Sequence, residues 1–374
     1  MMPKAIGIIF ANSGSDTLDG LAQNRPVAAV PFGGRYRILD FALSSMVNSG
    51  ISTIGLVTPH QYRPLLDHLG AGKDWFLERK NGGMFILPGV MHGLAGDNHT
   101  FCIKDLQHNL EYLEKDFSDN VVISSGNQIY NMNFMESLQF HKEKQADATL
   151  IYKECDNLGN SIDDSLLEMD NDQKISNIWV QSDLKSSHTG HSHFANMLII
   201  RRELLLNIID KYSSLGCLDL IDILITNLKV LKLYGTPTDS IFWPIRTVKD
   251  YFHRSMDLLD CEVREKLWLG EDRIHTKIVD NPPTRYTTHA KVSNSLIASG
   301  CTISGEVSNS IIFRGVIVEQ GCQIKNSIIM PKCHIYENAQ IKYAILDKYV
   351  KVNGENVLKG SLNSPLVVSK STVI

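Results

Sequence analysis

Along the first two thirds of the chain, apolar positions switch between short unbroken runs and helical spacing. Lys4–Phe10 is a short apolar strand, and from Ile38 the residues Ile38, Phe41, Ala42, Ser45 and Met46 recur at helical spacing until Gly50 stops the run. Thr53–Thr58 reads as strand, Leu106–Phe117 as helix, Val121–Ser125 as buried strand, Phe134–Lys144 as helix and Ala148–Lys153 as strand. Phe194–Ile200, Arg202–Tyr212, Leu218–Leu228 and Val230–Tyr234 continue the alternation, and Val248–Glu262 predicts one long amphipathic helix. This order predicts a doubly wound α/β domain, a sheet covered by helices on both faces.

The texture changes after Pro282 and Pro283. Asn294-Ser295-Leu296-Ile297, Asn309-Ser310-Ile311-Ile312, Asn326-Ser327-Ile328-Ile329 and Tyr343-Ala344-Ile345-Leu346 are related segments, the last three at a period of 17. Between them aliphatic residues step by six, as from Ile312 to Val318 to Ile324 and from Ile329 to Ile335 to Ile341. Three such steps per coil, one of them shortened, predict a triangular parallel β-helix of four short coils, each flat side turning one aliphatic inward. A sandwich of short strands would need period-2 alternation and hairpin turns, and the segment shows little of either. The expected organisation is an α/β domain over 1–262, a linker over 263–289 and a β-helix over 290–374.

Composition narrows the function classes. With 43% hydrophobic and 21% charged residues in 374, the chain has the make-up of two or three globular domains, which excludes disorder and collagen. A net charge of -4 without a basic block argues against nucleic acid as a partner. The apolar opening Ile6–Ala11 is too short to span a bilayer and lacks the flanks of a signal peptide, so no membrane partner and a cytoplasmic location are expected. The seven cysteines contain no CxxC pair and are odd in number, which predicts reduced, mostly buried thiols.

Chemistry is expected at the carboxyl end of the first strand, where backbone amides of a following loop cradle phosphates and glycine permits close approach. That loop, Phe10–Arg25, holds Gly14 as its one glycine before Gly20. The stretch after it, Pro26-Val27-Ala28-Ala29-Val30-Pro31-Phe32-Gly33-Gly34-Arg35-Tyr36-Arg37-Ile38-Leu39-Asp40-Phe41, closely resembles glucose-1-phosphate adenylyltransferase. So do Asn48-Ser49-Gly50-Ile51, Gly70-Ala71-Gly72-Lys73 and Lys80-Asn81-Gly82-Gly83, and with the β-helix the resemblance covers nearly the whole chain. It implies a Rossmann-like nucleotidyltransferase domain, a mixed sheet with helices on both faces, followed by a C-terminal left-handed parallel β-helix. That family joins glucose 1-phosphate to ATP and releases pyrophosphate, an in-line attack needing amide and cationic donors and a divalent ion.

Placed on the family pattern, the chain lacks those groups. The paired glycines of the nucleotide loop fall on Asn12 and Ser13, the third on Ser15, the loop arginine on Thr17 and a later lysine on Val27. The first metal-binding aspartate falls on Asn127 within Ser125-Gly126-Asn127-Gln128-Ile129-Tyr130. The second corresponds to Phe242-Trp243-Pro244-Ile245-Arg246-Thr247, which holds no carboxylate. A Gly-Thr-Ala segment falls near Phe101–Asp105 without matching, and the sugar-phosphate Glu-Lys-Pro falls near Gln181-Ser182-Asp183. Lost together, such groups cost many orders of magnitude in rate. The pattern resembles the non-catalytic regulatory subunit of the bacterial enzyme. The resemblance implies a cytoplasmic heterotetramer with the catalytic glucose-1-phosphate adenylyltransferase subunit, whose activity and effector response this chain would alter. It also implies no strongly bound cofactor here, Mg²⁺ being expected only in the catalytic partner.

Arg25, Arg35 and Arg37 surround the Phe32-Gly33-Gly34 turn, and the resemblance places Arg25 and Arg37 where sugar-phosphate or phosphate effectors act. Local pairing with Asp40 or Asp19 is the alternative. His188, His191 and His193 sit among Ser, Thr and Gly and read as a solvated loop rather than a metal site. A hexapeptide acyltransferase is the other use of such a β-helix, but coils this few behind a nucleotide-binding-like domain suit stability and assembly. Two further readings stay open: a slow nucleotidyltransferase whose metal site is rebuilt from Asp16, Asp19 or Asp97, and a free-standing metabolite sensor.

Overall fold

The computed structural model describes residues 4–12, 18, 20–89, 100–154, 165–180, 192–270 and 272–374. Its α/β domain opens with β1 (Ala5–Phe10), the short pair β2 (Pro31–Phe32) and β3 (Tyr36–Arg37), then α1 (Ile38–Asn48), β4 (Thr53–Thr58), α2 (Arg63–Leu69) and β5 (Gly83–Pro88). There follow α3 (Ile103–His108), α4 (Leu110–Glu114), β6 (Asn120–Ser125), β7 (Gln128–Tyr130), α5 (Met135–Glu143), β8 (Ala148–Glu154), β9 (Ser165–Met169), β10 (Ile175–Val180) and β11 (Ser192–Arg201). The domain ends with α6 (Arg202–Tyr212), α7 (Leu220–Thr226), β12 (Leu233–Pro237), β13 (Phe242–Pro244), α8 (Val248–Asp257) and α9 (Cys261–Arg264).

Nine strands form one mixed sheet in the order β10-β9-β11-β6-β1-β4-β5, with β8 on β11 and β12 on β8. β6, β1, β4 and β5 run parallel, whereas β11 runs antiparallel to β6 and to β8. Alternate residues of the central strands serve opposite faces. Ile6, Ile8, Val121 and Ile123 pack with Leu205, Ile209 and Leu224, while Ile9, Val122 and Ile199 pack with Leu39, Met46 and Leu138. Burial on both faces explains why these strands read as unbroken apolar runs. Gly7 allows α1 to approach β1 closely, since a Cβ there would lie 2.5 Å from Met46 Sδ.

Two predicted helices are each divided in the structure. Leu106–Phe117 becomes α3 and α4, broken at Asn109, whose amide donates to the Asp105 and Pro88 carbonyls at 2.7 and 3.0 Å. A side chain that satisfies local carbonyls competes with the helix ladder. Val248–Glu262 becomes α8, capped by Thr247 and Asp250, and α9, begun by the Asp260 carboxylate accepting from Glu262 N–H at 2.9 Å. Both sequence periodicities were sound, but an internal Asn or Asp restarted the chain within each. Among the described residues no helix is long and apolar enough to cross a membrane. The six described cysteines are unpaired, with Cys102, Cys301, Cys322 and Cys333 buried, Cys217 half-buried and Cys261 exposed, and Cys155 lies outside the described residues.

The C-terminal region is a left-handed parallel β-helix made of three five-stranded parallel sheets, so it has five rungs, one more than the repeat suggested. The first rung starts at Arg285–Tyr286 and holds the first Asn-Ser motif, and the extra rung is the last, Lys351–Val352, Val357–Lys359 and Leu366–Val368, which carries no such motif. The segment 263–289 expected as a linker is fastened to the α/β domain. Asn131 donates to the Leu267 and Asp272 carbonyls, Lys277 Nζ donates to the Asp67 carbonyl, and His275 N–H donates to Ser44 Oγ.

Each position of the Asn-Ser-aliphatic-aliphatic motif has its own task. Asn294, Asn309 and Asn326 hold the corner at φ of 40, 46 and 48°, the left-handed region that asparagine tolerates. The serine hydroxyl ties one coil to the next: Ser295 Oγ accepts from Ser310 N–H, Ser310 Oγ from Ser327 N–H and Ser327 Oγ from Ala344 N–H, at 3.1 to 3.2 Å. Of the two aliphatics, the second (Ile312, Ile329, Leu346) faces inward with Ile303, Val318 and Ile335. The first (Leu296, Ile311, Ile328, Ile345) faces outward into a cluster shared with Phe32, Phe41, Tyr251, Leu258 and Leu267 of the α/β domain. One sheet of the β-helix is therefore buried on both sides. A buried ion pair lies within the same junction, Arg25 Nη2 donating to Asp347 Oδ1 at 2.8 Å while Arg25 Nε donates to the Leu21 carbonyl at 2.8 Å.

Removing one member of a buried pair strands the other charge, which costs about 3–5 kcal/mol, while apolar replacement of both is close to neutral. Arg25→Met is expected to lower the urea midpoint by that order. Arg25→Met with Asp347→Leu is expected to recover most of the loss, read from the same unfolding curves.

Candidate functional site

The carboxyl ends of β1 and β6 meet the β7–β13 pair, and here the sequence-predicted catalytic positions converge. Asn12 follows β1 and its amide donates to Oδ2 of fully buried Asp105 in α3 at 2.6 Å, so that carboxylate is engaged by the residue standing where the loop glycine would be. Sequence reasoning had not given Asp105 a part. Gly126 N–H donates to the Phe10 carbonyl at 2.7 Å and sets Asn127 beside the end of β1. β13 pairs antiparallel with β7, Pro244 opposite Gln128 and Trp243 opposite Ile129, and Ile245 N–H donates to the Asn127 carbonyl at 3.1 Å. The two segments aligned with the two metal aspartates are thus neighbours in space.

What those neighbours carry is an amide at Asn127, a buried aliphatic at Ile245 and a guanidinium at Arg246. A hard divalent cation takes anionic oxygen, and a neutral amide with an aliphatic beside it does not supply the set. Among the described residues no group of three or more His, Cys, Asp or Glu could hold a metal ion. These residues do not fit Mg²⁺. Val27, at the family's lysine position, lies in a turn at 27–29, is 1% exposed and packs with Leu21, Phe32 and Tyr251 in the junction cluster. Val27 thus offers apolar packing and no hydrogen-bond donor from its side chain.

Several expected positions, namely Ser13, Ser15, Thr17, Asp16, Asp19, Asp97, the segment 181–183, His188 and His191, lie outside the described residues. His193, expected in a solvated loop, is instead the second residue of β11, opposite Lys153 of β8. The strand begins before the apolar run that signalled it, because its first residues pair with β8 and β9.

The three arginines are not one cluster. Arg35 is exposed, with its guanidinium 4.9 Å over the Tyr36 ring, and it faces Arg314 of the β-helix. Arg25 lines a small cavity between the two domains, about 150 Å³, whose wall includes Pro64, Asp347, Lys348 and Lys370, and Arg37 lies behind that wall, close enough for its charge to act on Lys348. Arg37 donates to the Pro64 carbonyl of α2 through its guanidinium, and its backbone N–H donates to Asp40 Oδ2 at 3.0 Å. Fully buried Asp40 also shares a 2.6 Å hydrogen bond with His68 Nε2, so both of its oxygens are engaged.

Positive charge at this cavity exceeds what the acids offset. Asp347 Oδ1 accepts from both Arg25 and the Lys348 backbone N–H. Burial, then the charges of Arg37 and Arg25, push the Lys348 ammonium down to about 7, and Asp347 opposes that only in part. Burial, reinforced by Arg25 and opposed by Asp40, lowers Arg37 to about 10. Cations disfavoured by burial and by one another would be relieved by an added anion. Lys348 and Lys370 escaped the sequence reading, because only the closing of the β-helix against the first loop brings them to Arg25.

A nucleotidyl transferase family model matches residues 6–158, and a model of the GlmU-like C-terminal hexapeptide region matches residues 276–360. The chain is 34% identical over 373 residues to the glycogen biosynthesis protein GlgD of Geobacillus stearothermophilus, covering 100% of this chain and 98% of that one. It is 31% identical to GlgD of Bacillus subtilis (strain 168), covering 99% of this chain and 97% of that one. Against the glucose-1-phosphate adenylyltransferase of Bacillus thuringiensis (strain Al Hakam) the identity is 30%, covering 98% and 97%. The chain belongs to the GlgD and glucose-1-phosphate adenylyltransferase family. Val27 is built into the core rather than left at the surface. Val27→Lys is therefore expected to destabilise the fold by several kcal/mol, the cost of a charge in an apolar cluster, seen as a lower thermal midpoint.

Proposed function

We propose that this chain is the catalytically degraded, regulatory subunit of a cytoplasmic bacterial glucose-1-phosphate adenylyltransferase. It assembles with the catalytic subunit into a heterotetramer and modulates ADP-glucose synthesis for glycogen. The observation that carries this reading is the convergence at Asn127 and Ile245: the fold brings the two metal positions together, and neither holds a carboxylate. Full-length similarity both to proteins named for glycogen biosynthesis and to proteins named as the adenylyltransferase supports it. No cofactor is bound strongly, and Mg²⁺ serves only the catalytic partner.

The regulatory ligand is a phosphate or sugar phosphate held between Arg25, Arg37, Lys348 and Lys370. Its anionic group supplies the charge that the cavity lacks, and guanidinium forks suit phosphate geometry. Because the ligand bridges the first loop of the α/β domain and the last coils of the β-helix, its binding reports on the junction between them.

Purified chain titrated into the catalytic subunit of the same organism is expected to change the rate of pyrophosphate release, or its effector dependence, until a fixed ratio is reached. Titration that leaves both untouched at every ratio contradicts the proposal. A second expectation concerns pH. The Lys348 pKa lies at about 7 against an ordinary 10.5, so the free protein disfavours the cation and binding an anion above pH 7 takes up a proton. Affinity for sulfate, whose charge is constant in this range, is therefore expected to fall by up to about tenfold per pH unit between pH 7 and 9. Lys348→Met should flatten that slope in calorimetric titrations.

A further inference from the structure

The β-helix carries a notch with a definite cause. Between its first and second sheets the corners span four residues at 287–290, 319–322, 336–339 and 353–356, but only two, Ser304 and Gly305, at the second rung. The short corner leaves a recess of about 630 Å³. Its floor is backbone: a Cβ on Gly305 would lie 2.7 Å from the Cys322 carbonyl oxygen, so this corner rests directly on the next. The volume is within the range of small-molecule clefts, about 300–1,000 Å³.

The side chains around the recess are set in register by four successive coils. Lys291, Glu306 and Gln323 are consecutive positions across one sheet, and Asn338 N–H donates to the Gln320 carbonyl at 3.1 Å, stacking the two corners. The Asn338 amide lies over Gly321, where a Cβ would meet its Oδ1 at 2.0 Å. Gln320, Gln323, Glu337 and Asn338 spend no side-chain hydrogen bond on the described protein, whereas Glu306 makes a 3.3 Å ion pair with Lys325. The recess thus presents planar amides and carboxylates together with one ammonium and the imidazole of His289, and no Phe, Tyr or Trp ring lines it.

That chemistry selects among ligands. Glu306 and Glu337 repel a phosphate or nucleotide, and the small ring of His289 offers a base far less stacking face than a Tyr or Trp would. A neutral ligand rich in hydroxyls, each both donor and acceptor, matches fixed amides and carboxylates. We propose that this notch binds a short neutral oligosaccharide. Among such ligands an α-glucan chain end is the one supplied by the place in glycogen synthesis proposed above, and that choice rests on that proposal.

The test is calorimetric titration of the isolated full-length chain with maltotriose and maltoheptaose, with cellotriose in parallel, at pH 7. Saturable binding of the maltooligosaccharides is expected, weakened about tenfold or more by Gln323→Ala and by Asn338→Gly, as losing one or two hydrogen bonds entails. Asn338→Gly keeps the left-handed backbone at this corner open, and unchanged unfolding curves and unchanged sulfate binding would show that the fold and the other pocket are intact. Binding that both variants leave untouched, or no saturable binding of any of the three sugars, overturns the proposal. Tighter binding of cellotriose than of maltotriose keeps a sugar site but overturns the glucan assignment. No catalytic subunit is present, so none of these outcomes depends on whether the chain modulates one.

Discussion

Burial of one β-helix sheet on both of its sides is the constraint from which the other features of this protein follow. The column Leu296, Ile311, Ile328 and Ile345 faces out of the solenoid, and a solvent-exposed stripe of that kind would be costly. It is covered by Phe32, Phe41, Tyr251 and Leu258, so the turn after β2, helix α1 and helix α8 are all fixed against the β-helix. Arg25 is drawn into the same junction and needs Asp347 there. Its pairing leaves Lys348 and Lys370 in the wall of the remaining cavity, with Arg37 close behind. The pocket proposed above for an anion is thus a by-product of how the two domains are locked.

The same junction explains the state of the cleft. In a nucleotide site the turn at 27–29 would present a cation to phosphate, and here it packs Val27 into the shared core. Asn127 and Ile245 keep the strand pairing that would set two metal ligands side by side, without the ligands. On the reading proposed above, architecture is kept where it supports the junction, and the groups that only turnover would need are absent.

Much of this was legible along the chain because it rests on periodicity. Aliphatic steps of six marked the inward columns, and the doubled Ile-Ile of the Asn-Ser segments already held the outward column that joins the domains. Strands buried on both faces read as apolar runs, and β1, β4 and β6 stand within a residue of their expected limits. Single polar side chains were harder to read: Asn109 and Asp260 each restart a helix whose apolar spacing continues across the break. Edge strand β5 and the β9–β10 pair carry too little alternation to announce themselves. The pocket was half legible, since Arg25 and Arg37 lie in a recognisable motif, whereas Lys348 and Lys370 join them only through the closing of the fold. Arg35, one of that motif's three arginines, turns away to Tyr36.

Absence of catalysis in this chain is the central claim, and it is open to a direct measurement: pyrophosphate release from ATP and glucose 1-phosphate by the purified chain alone, with Mg²⁺ varied and no partner present. The expected result is no release above the enzyme-free blank at any Mg²⁺ concentration. Release that rises with Mg²⁺ and disappears in Asp16→Asn, Asp19→Asn or Asp97→Asn would contradict it, and would show a metal site rebuilt from carboxylates other than the two the family uses.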